Sequence, residues 1–174
     1  MKKSAKILVD IEIDKLTKSI ENIVSGDVFD TEIFQLFSRD RKQIKKADWL
    51  FKWQEQVQLS DREIYKLVIK NNPKIIQGLI SLSDQGDHIY LHLIESAKFN
   101  KGKSKLYTGV PGNLVAFACK ISFEKGYEGY LAFDAKTALI KHYEETLYAT
   151  HFKGTKMMIE TPAAKRLINQ YFTK

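Results

Sequence analysis

An uncharged stretch in the middle of the chain has the composition of an anion-binding loop. It reads Tyr107-Thr-Gly-Val-Pro-Gly112 and lies between a strand-like run, 88–97, and a helix-like run that begins at Asn113. A glycine-bearing loop that feeds a helix exposes main-chain N–H groups at the helix start, where the helix dipole also favours negative charge. The stretch therefore predicts a loop that binds the phosphates of an anionic cofactor, with an ordinary tight turn as the alternative.

Positive charge precedes this loop. Four lysines lie between the strand-like run and the loop, namely Lys98, Lys101, Lys103 and Lys105. The whole chain carries 28 Lys and Arg against 21 Asp and Glu, a formal net charge of +7. Such a charge favours anionic partners, including an anionic cofactor, nucleic acid and acidic membranes, without choosing among them.

The elements around the loop would have to position it. Three strand-like runs joined by polar turns predict a meander at 64–70, 75–83 and 88–97. Downstream, the pattern predicts a helix at 113–125, a strand at 129–133, a helix at 137–148, a strand at 156–160 and a terminal helix from Thr161. This order predicts an α+β fold with a crossover, in which the terminal helix packs on the sheet.

The first 60 residues have a less regular pattern. The run 7–13 could be a strand, and the apolar spacing of 16–24 predicts a helix. The run 31–37 is rich in strand formers and is expected to be the first strand of the sheet. We expect Trp49 and Trp53 to be core residues, since they would bury large apolar areas.

The basic stretch 39–46 has two interpretations. It can be a solvated helix or loop, or it can be an electrostatic patch for an acidic substrate or nucleic acid.

Length and composition favour one domain spanning 1–174, with a variable part (1–60), a core (61–160) and a terminal helix (161–174). The single cysteine, Cys119, is expected to be a small buried hydrophobe and fits a reducing compartment, so we expect a cytoplasmic protein. Asp10, Glu12 and Asp14 interrupt any signal-peptide core, and no run is long enough to span a bilayer.

Other catalytic classes lack their motifs. His88 and His92 would lie about 13 Å apart along a strand, so one metal ion could not bind both, and no metal site is predicted. The sequence contains no Gly-x-Ser-x-Gly elbow, Cys-x-x-Cys pair or Walker loop. Serine hydrolases, zinc ribbons and P-loop NTPases are therefore disfavoured.

The element order and three segments resemble the GNAT superfamily, the acyl-CoA-dependent N-acyltransferases. The segments are Gly109-Val-Pro-Gly-Asn-Leu114, Glu124-Lys-Gly-Tyr127 and Ala138-Leu-Ile-Lys-His-Tyr-Glu-Glu-Thr-Leu147, and the resemblance covers roughly 60–160. It implies a mixed, mostly antiparallel central sheet flanked by helices. It further implies that the strand before the loop splays from its neighbour, and that the loop and the following helix hold the pyrophosphate of acetyl-CoA.

The resemblance also assigns roles to residues. It implies a cofactor site formed by Ile94, Ser96, Thr108, Gly109, Val110, Pro111, Gly112, Asn113 and Leu114. Tyr143 corresponds to the family's general acid, which would return a proton to the departing thiolate, and core packing is its alternative role. Glu95 could accept the proton of the attacking amine, or be a surface carboxylate of the strand. Main-chain N–H groups near 94–96 are expected to polarise the thioester carbonyl.

These assignments lead to an expected activity and to alternatives. The expected protein is an acetyl-CoA-dependent N-acetyltransferase that acts on a small-molecule or protein amine, as a monomer or homodimer. The loop departs from the family pattern of Gln or Arg, two residues, Gly, one residue and Gly or Ala. Leu106 and Pro111 take its first and last positions when Gly109 takes the fourth, and Leu114 takes the last position when the pattern starts at Gly109. A noncatalytic module that binds nucleic acid or protein through 39–46 and 98–105 is therefore the alternative. A transferase acting on aminoacyl-tRNA is a third interpretation.

Overall fold

The computed structural model describes residues 6–15 and 19–172, and a seven-stranded mixed sheet forms its centre. The strands are β1 (Ile20–Asn22), β2 (Val28–Phe29), β3 (Thr31–Leu36), β4 (Glu63–Ile69), β5 (Gly78–Asp84), β6 (Ile89–Ser96), β7 (Tyr107–Thr108), β8 (Leu131–Asp134), β9 (Thr150–Lys153) and β10 (Lys156–Ile159). The α-helices are α1 (Trp53–Gln56), α2 (Val110–Glu124), α3 (Ile140–Thr146) and α4 (Thr161–Phe172). Short 3₁₀-helices span Ser38–Gln43, Lys46–Asp48, Lys98–Asn100 and Thr137–Leu139.

The central sheet has the strand order β3-β4-β5-β6-β8-β10-β9. All neighbouring strands are antiparallel except β6 and β8, which are parallel and are connected through α2. A small antiparallel sheet, β2-β1-β7, lies beside the loop that precedes α2. The predicted fold class, a mostly antiparallel mixed sheet flanked by helices, is confirmed.

The predicted meander forms β4, β5 and β6 with small shifts of their ends. These strands are buried on both faces, so alternate residues enter different apolar clusters. One cluster contains Ile64, Leu79 and Leu93 with Trp49 and Trp53; the other contains Tyr65, Ile80 and Ile94 with residues of α2, α3 and α4. The run 31–37, expected to be the first strand, forms β3 at the sheet edge.

The helix after the loop begins three residues earlier than predicted, at Val110 instead of Asn113. Gly109 is its N-cap and adopts φ +95°, a conformation that glycine reaches without strain. Pro111 fits the first turn because the N–H that proline lacks has no partner inside a helix there. The predicted loop is therefore shorter, and 110–112 are helical.

The helix predicted at 16–24 is wrong where the structure describes it. Residues 16–18 lie outside the described residues, and Ile20–Asn22 form β1, which pairs with both β2 and β7. Ser19 has φ +65°, which no right-handed helix accommodates. Of its described apolar residues, Ile20 is fully buried, whereas Ile23 and Val24 are exposed and form no helical stripe.

The terminal helix begins at Thr161, as predicted, and α2 is its main neighbour. Its buried residues belong to the same apolar cluster as residues of the central sheet. The buried residues Ala164, Leu167 and Tyr171 form its inner face. A Cβ at Gly112 would overlap the ring and hydroxyl of Tyr171, so this glycine allows the two helices to approach closely.

Candidate active site

The parallel strands β6 and β8 pair over only two residues and then separate. Ile89 pairs with Leu131 and Tyr90 pairs with Ala132, and no further pair follows. A bulge at His92 interrupts β6 here, since Leu91 lies opposite Leu82 whereas Leu93 lies opposite Ser81. The two strands therefore leave an opening between their C-terminal ends, as the resemblance implied.

Two main-chain N–H groups near the C-terminal end of β6 point towards this opening. The N–H of Ala97 donates to Gln77 O at 2.9 Å, on the side of β5. Because N–H groups alternate in direction along a strand, those of Ile94 and Ser96 face the opposite side. They face a cavity of about 340 Å³ that Ile94, Glu95, Ser96 and Pro111 help to line.

The remaining predicted cofactor residues surround the start of α2. Thr108 pairs with Glu21 in the small sheet, and the side chains of Val110 and Leu114 are buried against Gly78 of β5. Val110 and Leu114 could therefore contact a cofactor only through their main-chain groups. Asn113 is fully buried, and its side-chain amide donates to Gly109 O and Ser19 O, both at 2.9 Å.

The opening between β6 and β8 contains part of the chain itself, Leu8–Asp14, which we call the inserted segment. Val9 forms a parallel bridge with Ala135, through Val9 N–H to Asp134 O at 2.7 Å and Lys136 N–H to Val9 O at 3.0 Å. Ala135 N–H donates to Thr155 O near β10, so the groups that bind Val9 face the β6 side. The inserted segment thus continues the sheet where β6 has left it, and the cavity lies between the segment and β6.

Tyr143 and His142, on α3, bind the inserted segment. The Tyr143 hydroxyl donates to Ile11 O at 2.6 Å and accepts from Ile11 N–H at 3.0 Å. His142 Nε2 accepts from Ile13 N–H at 2.8 Å. Tyr143 is fully buried, and burial raises the pKa of its hydroxyl, which therefore stays protonated over the ordinary pH range.

Asp14 binds at the start of the predicted phosphate loop. Its Oδ1 accepts from Gly109 N–H at 3.0 Å, and its Oδ2 accepts from Lys105 Nζ at 2.8 Å. A main-chain N–H beside a helix start and a lysine are the donors that a phosphate would use. The loop is thus able to bind an anion, and in this conformation the anion is a carboxylate of the same chain.

Glu95 accepts hydrogen bonds from four donors. They are Leu50 N–H at 2.8 Å, Trp53 Nε1–H at 2.9 Å, Lys101 Nζ at 2.9 Å and Phe51 N–H at 3.1 Å. Burial alone would raise the pKa of this carboxyl, but the four hydrogen bonds outweigh it and hold the pKa below its usual value. Glu95 is therefore an ionised group that fixes the wall of the cavity formed by Leu50 and Phe51.

The structure brings together some of the predicted site residues and separates others. Ile94, Glu95, Ser96 and Pro111 line the cavity, whereas Tyr143 lies behind the inserted segment. Sequence reasoning did not assign the inserted segment to the site. Its signal was the alternation of Val9, Ile11 and Ile13 with three acidic residues, a two-residue period beside a basic loop.

Residues 6–15 and 19–172 contain neither a candidate metal site nor a candidate membrane span. No group of three or more His, Cys, Asp and Glu side chains there could hold a metal ion. No helix in this part of the chain is long and apolar enough to cross a bilayer.

Comparisons with known proteins give matches in structure but not in sequence. No protein-family model matches the chain, and the comparison with curated proteins finds no match. The structure is similar to the KacTA–DNA complex, with a TM-score of 0.54 and 13% identity, over 80% of this chain and 98% of that chain. It is also similar to a mutant of the AtaT toxin bound to the C-terminus of the antitoxin AtaR and acetyl-CoA, with a TM-score of 0.53 and 12% identity, over 80% of this chain and 99% of that one.

These likenesses concern the arrangement of the elements and cover nearly the full length of both known chains. The chain therefore has the fold of the GNAT superfamily.

Proposed function

We propose that the protein is an acetyl-CoA-dependent N-acetyltransferase that transfers the acetyl group to an amine by direct attack. The observation that carries the proposal is the opening between β6 and β8, where the N–H groups of Ile94 and Ser96 face a cavity that Pro111 also lines. The anion-binding donors Gly109 N–H and Lys105 lie beside it. The acetyl-CoA bound to the AtaT mutant lends support from a protein of the same fold.

Cofactor binding would use two parts of the site. The pyrophosphate would bind Lys105 and the N–H groups at the start of α2, in the segment Thr108–Leu114, where the helix dipole favours negative charge. The pantetheine arm would run along β6, and the carbonyl oxygen of the thioester would accept hydrogen bonds from Ile94 and Ser96 N–H. These donors are held in place by the sheet, so they need no rearrangement during the reaction.

The transfer itself requires a nucleophile, a proton acceptor and a proton donor. A neutral amine would attack the carbonyl carbon of the thioester and the carbon–sulfur bond would break, with Tyr143 as the candidate to supply a proton to the departing thiolate. Glu95 is the candidate to accept the proton that the amine loses, directly or through water. Its four hydrogen bonds keep it ionised but weaken it as a base, so the proposal favours amines that arrive largely neutral.

Thermal unfolding with acetyl-CoA, CoA and ATP at two salt concentrations tests this function. A saturable rise in Tm with CoA or acetyl-CoA that exceeds the rise with ATP and persists at high salt is the expected result. An assay of free-thiol release on panels of small amines and peptides would then identify the acceptor. Equal, salt-sensitive shifts with every anion would contradict the proposal.

A noncatalytic GNAT-like module is the second candidate, and one observation favours it. Asp14 already satisfies Gly109 N–H and Lys105, as it would in a protein that no longer binds a cofactor there. The basic residues of 39–46 are mostly exposed, and Lys45, Lys74 and Lys98 line one shallow groove. Such a module would bind nucleic acid with an affinity that falls steeply as salt increases, and a titration at several salt concentrations would detect this.

A further inference from the structure

We infer that the inserted segment, Leu8–Asp14, is a displaceable internal inhibitor that competes with the acyl-CoA cofactor for the opening between β6 and β8. The inference rests on the proposed function, because it concerns the same site. It goes beyond that function because it assigns the regulation of cofactor binding to a segment of the same chain. Binding of the cofactor then requires the segment to leave, and the closed and the cofactor-bound states exclude each other.

The first observation behind this inference is the position of Asp14. Its two carboxylate oxygens use one donor each, Gly109 N–H at 3.0 Å and Lys105 Nζ at 2.8 Å. Its side chain is only 16% exposed, so it lies in the loop and not above it. A phosphate cannot bind these two donors while the carboxylate holds them, and the two negative charges would repel each other.

A second, independent observation is the position of Ile11. Its main-chain N–H and C=O occupy both hydrogen-bonding functions of Tyr143, which lies on the opposite side of the segment from the cavity. A thiolate in the cavity could therefore not reach the Tyr143 hydroxyl. The same displacement that frees the phosphate loop would also expose the proton donor.

The contacts of the segment are suited to reversible release. Val9 and Ile13 are the buried apolar anchors, whereas Asp10, Glu12 and the main chain at Asp14 are exposed. The segment joins the sheet by one isolated bridge, Val9 with Ala135, and not by a continuous ladder. Few buried contacts and short pairing are typical of parts of a protein that open locally.

A covalent lock tests the inference without changing any charge. Val9→Cys/Ala135→Cys places two thiols on the two residues of the parallel bridge. Bridge partners on adjacent strands are suitable positions for a disulfide, which usually joins Cα atoms about 4.4–6.8 Å apart. The native Cys119 is fully buried and does not interfere. CoA affinity would be measured by calorimetry for the oxidised and the reduced form of the same protein, with Val9→Cys alone as the control for the substitution.

A matched pair of charge variants gives a second measurement. Asp14→Asn removes the carboxylate at the loop, whereas Asp10→Asn makes the same change on the same segment at a surface pair with Lys136, 3.3 Å away. We expect Asp14→Asn to raise the CoA affinity about tenfold, because apparent affinity scales with the fraction of open molecules. Asp10→Asn should raise it much less, because Asp10 holds the segment only through a half-exposed ion pair and not through the phosphate loop.

Hydrogen exchange distinguishes displacement from a simple change of charge. In the wild-type protein, CoA should accelerate exchange at the amides of Ile11 and Ile13, because these N–H groups lose Tyr143 and His142 as partners. A segment that is a permanent wall of the cofactor channel would instead keep or gain protection, and that result would overturn the inference.

The outcomes separate the inference from the proposed function. Loss of CoA binding in the oxidised form, with recovery on reduction, supports both. Equal CoA affinity of the oxidised and reduced forms overturns the inference and leaves the cofactor assignment intact. Absence of CoA binding in every form, Asp14→Asn included, rejects the cofactor and the internal inhibitor together.

Discussion

The hydroxyl of Tyr143 is bound by a single residue 132 positions away, since it donates to Ile11 O at 2.6 Å and accepts from Ile11 N–H at 3.0 Å. The proposed proton donor is therefore also an anchor of the inserted segment. A change at this hydroxyl should affect both properties, in opposite directions: chemistry becomes slower, and the site becomes easier to enter.

Tyr143→Phe is expected to lower turnover by roughly 10²–10⁴-fold, because the thiolate loses its proton donor. CoA affinity should rise, since Ile11 loses its partner, and the free energy of unfolding should fall by about 1–2 kcal/mol. Steady-state kinetics, calorimetry and urea unfolding measure the three effects. Tyr127→Phe removes an exposed hydroxyl that donates to Asp84 and should change neither turnover nor affinity, so it is the matched control. Unchanged turnover of Tyr143→Phe would remove this residue from the mechanism.

Glu95→Gln is expected to destabilise the protein by about 3–5 kcal/mol. The glutamine amide group would place its own N–H donors against N–H groups that now donate hydrogen bonds to the carboxylate. The side chain is 2% exposed, so bulk solvent replaces little of the lost acceptor capacity. Urea unfolding at neutral pH measures the change. Glu145→Gln on the exposed face of α3 should alter stability by less than about 0.5 kcal/mol. A similar small effect of Glu95→Gln would mean that the four hydrogen bonds contribute little.

Protonation of Glu95 should also lower the stability of the protein in acid. Because its native pKa lies below the unfolded value of about 4.3, the stabilisation is complete above that value and declines as pH falls towards the native pKa. Asp134 has a lowered pKa as well, because hydrogen bonds from Thr155 and Tyr90 and the charge of Lys6 outweigh the effect of its burial. Its protonation should therefore also lower stability in acid. Tm should therefore decrease steeply below about pH 4. The acid decrease should be shallower in Glu95→Gln.

Gly112→Ala should disrupt the contact between α2 and α4. The added methyl group would overlap the Tyr171 ring, with Cε1 at 2.9 Å, so a helix must shift. We expect a loss of about 1–3 kcal/mol in the free energy of unfolding, and Gly112→Ala/Tyr171→Leu should recover part of it. Gly86→Ala, where φ is +91° and no atom lies within 4 Å, measures the cost of backbone strain alone. An unchanged free energy of unfolding for Gly112→Ala would show that the overlap is relieved without cost.

Cys119 should be unreactive in the native protein. It is fully buried, and burial raises the pKa of its thiol, so almost no thiolate is present at pH 8. Labelling with a chromogenic disulfide reagent should therefore proceed at the rate of unfolding and become fast in urea. Rapid labelling without denaturant would indicate local opening of α2.

Strong local patterns explain which parts of the fold were predictable. The strands β4, β5 and β6 follow from their apolar runs and polar turns, and α2 from its apolar stripe. The strand β9 was missed because all four of its residues are exposed, so pairing with β10 leaves no apolar signal. The start of α2 was placed late because Gly109, not Gly112, supplies the left-handed conformation.

The candidate site was less predictable, because it depends on contacts between distant residues. The resemblance directed attention to β6, to the loop and to Tyr143, and four of the predicted residues do line one cavity. Nothing in the local sequence of Glu95 indicates that Leu50, Phe51 and Trp53 donate to it across more than forty positions. The role of the inserted segment could not be predicted for the same reason, since its partners lie far away in the sequence, on β8 and α3.

The contacts between Leu8–Asp14 and the rest of the chain also have a consequence for the order of folding. Ile11 reaches Tyr143 across 132 positions, and Lys15 reaches the Tyr171 hydroxyl across 156. Contacts between such distant positions form late, because the entropy of closing long loops opposes them until the intervening structure exists. We therefore expect the sheet to assemble before the segment enters it, so that each new molecule would pass through a stage in which the opening is still empty. A ligand present at that stage would meet the site before its internal competitor does.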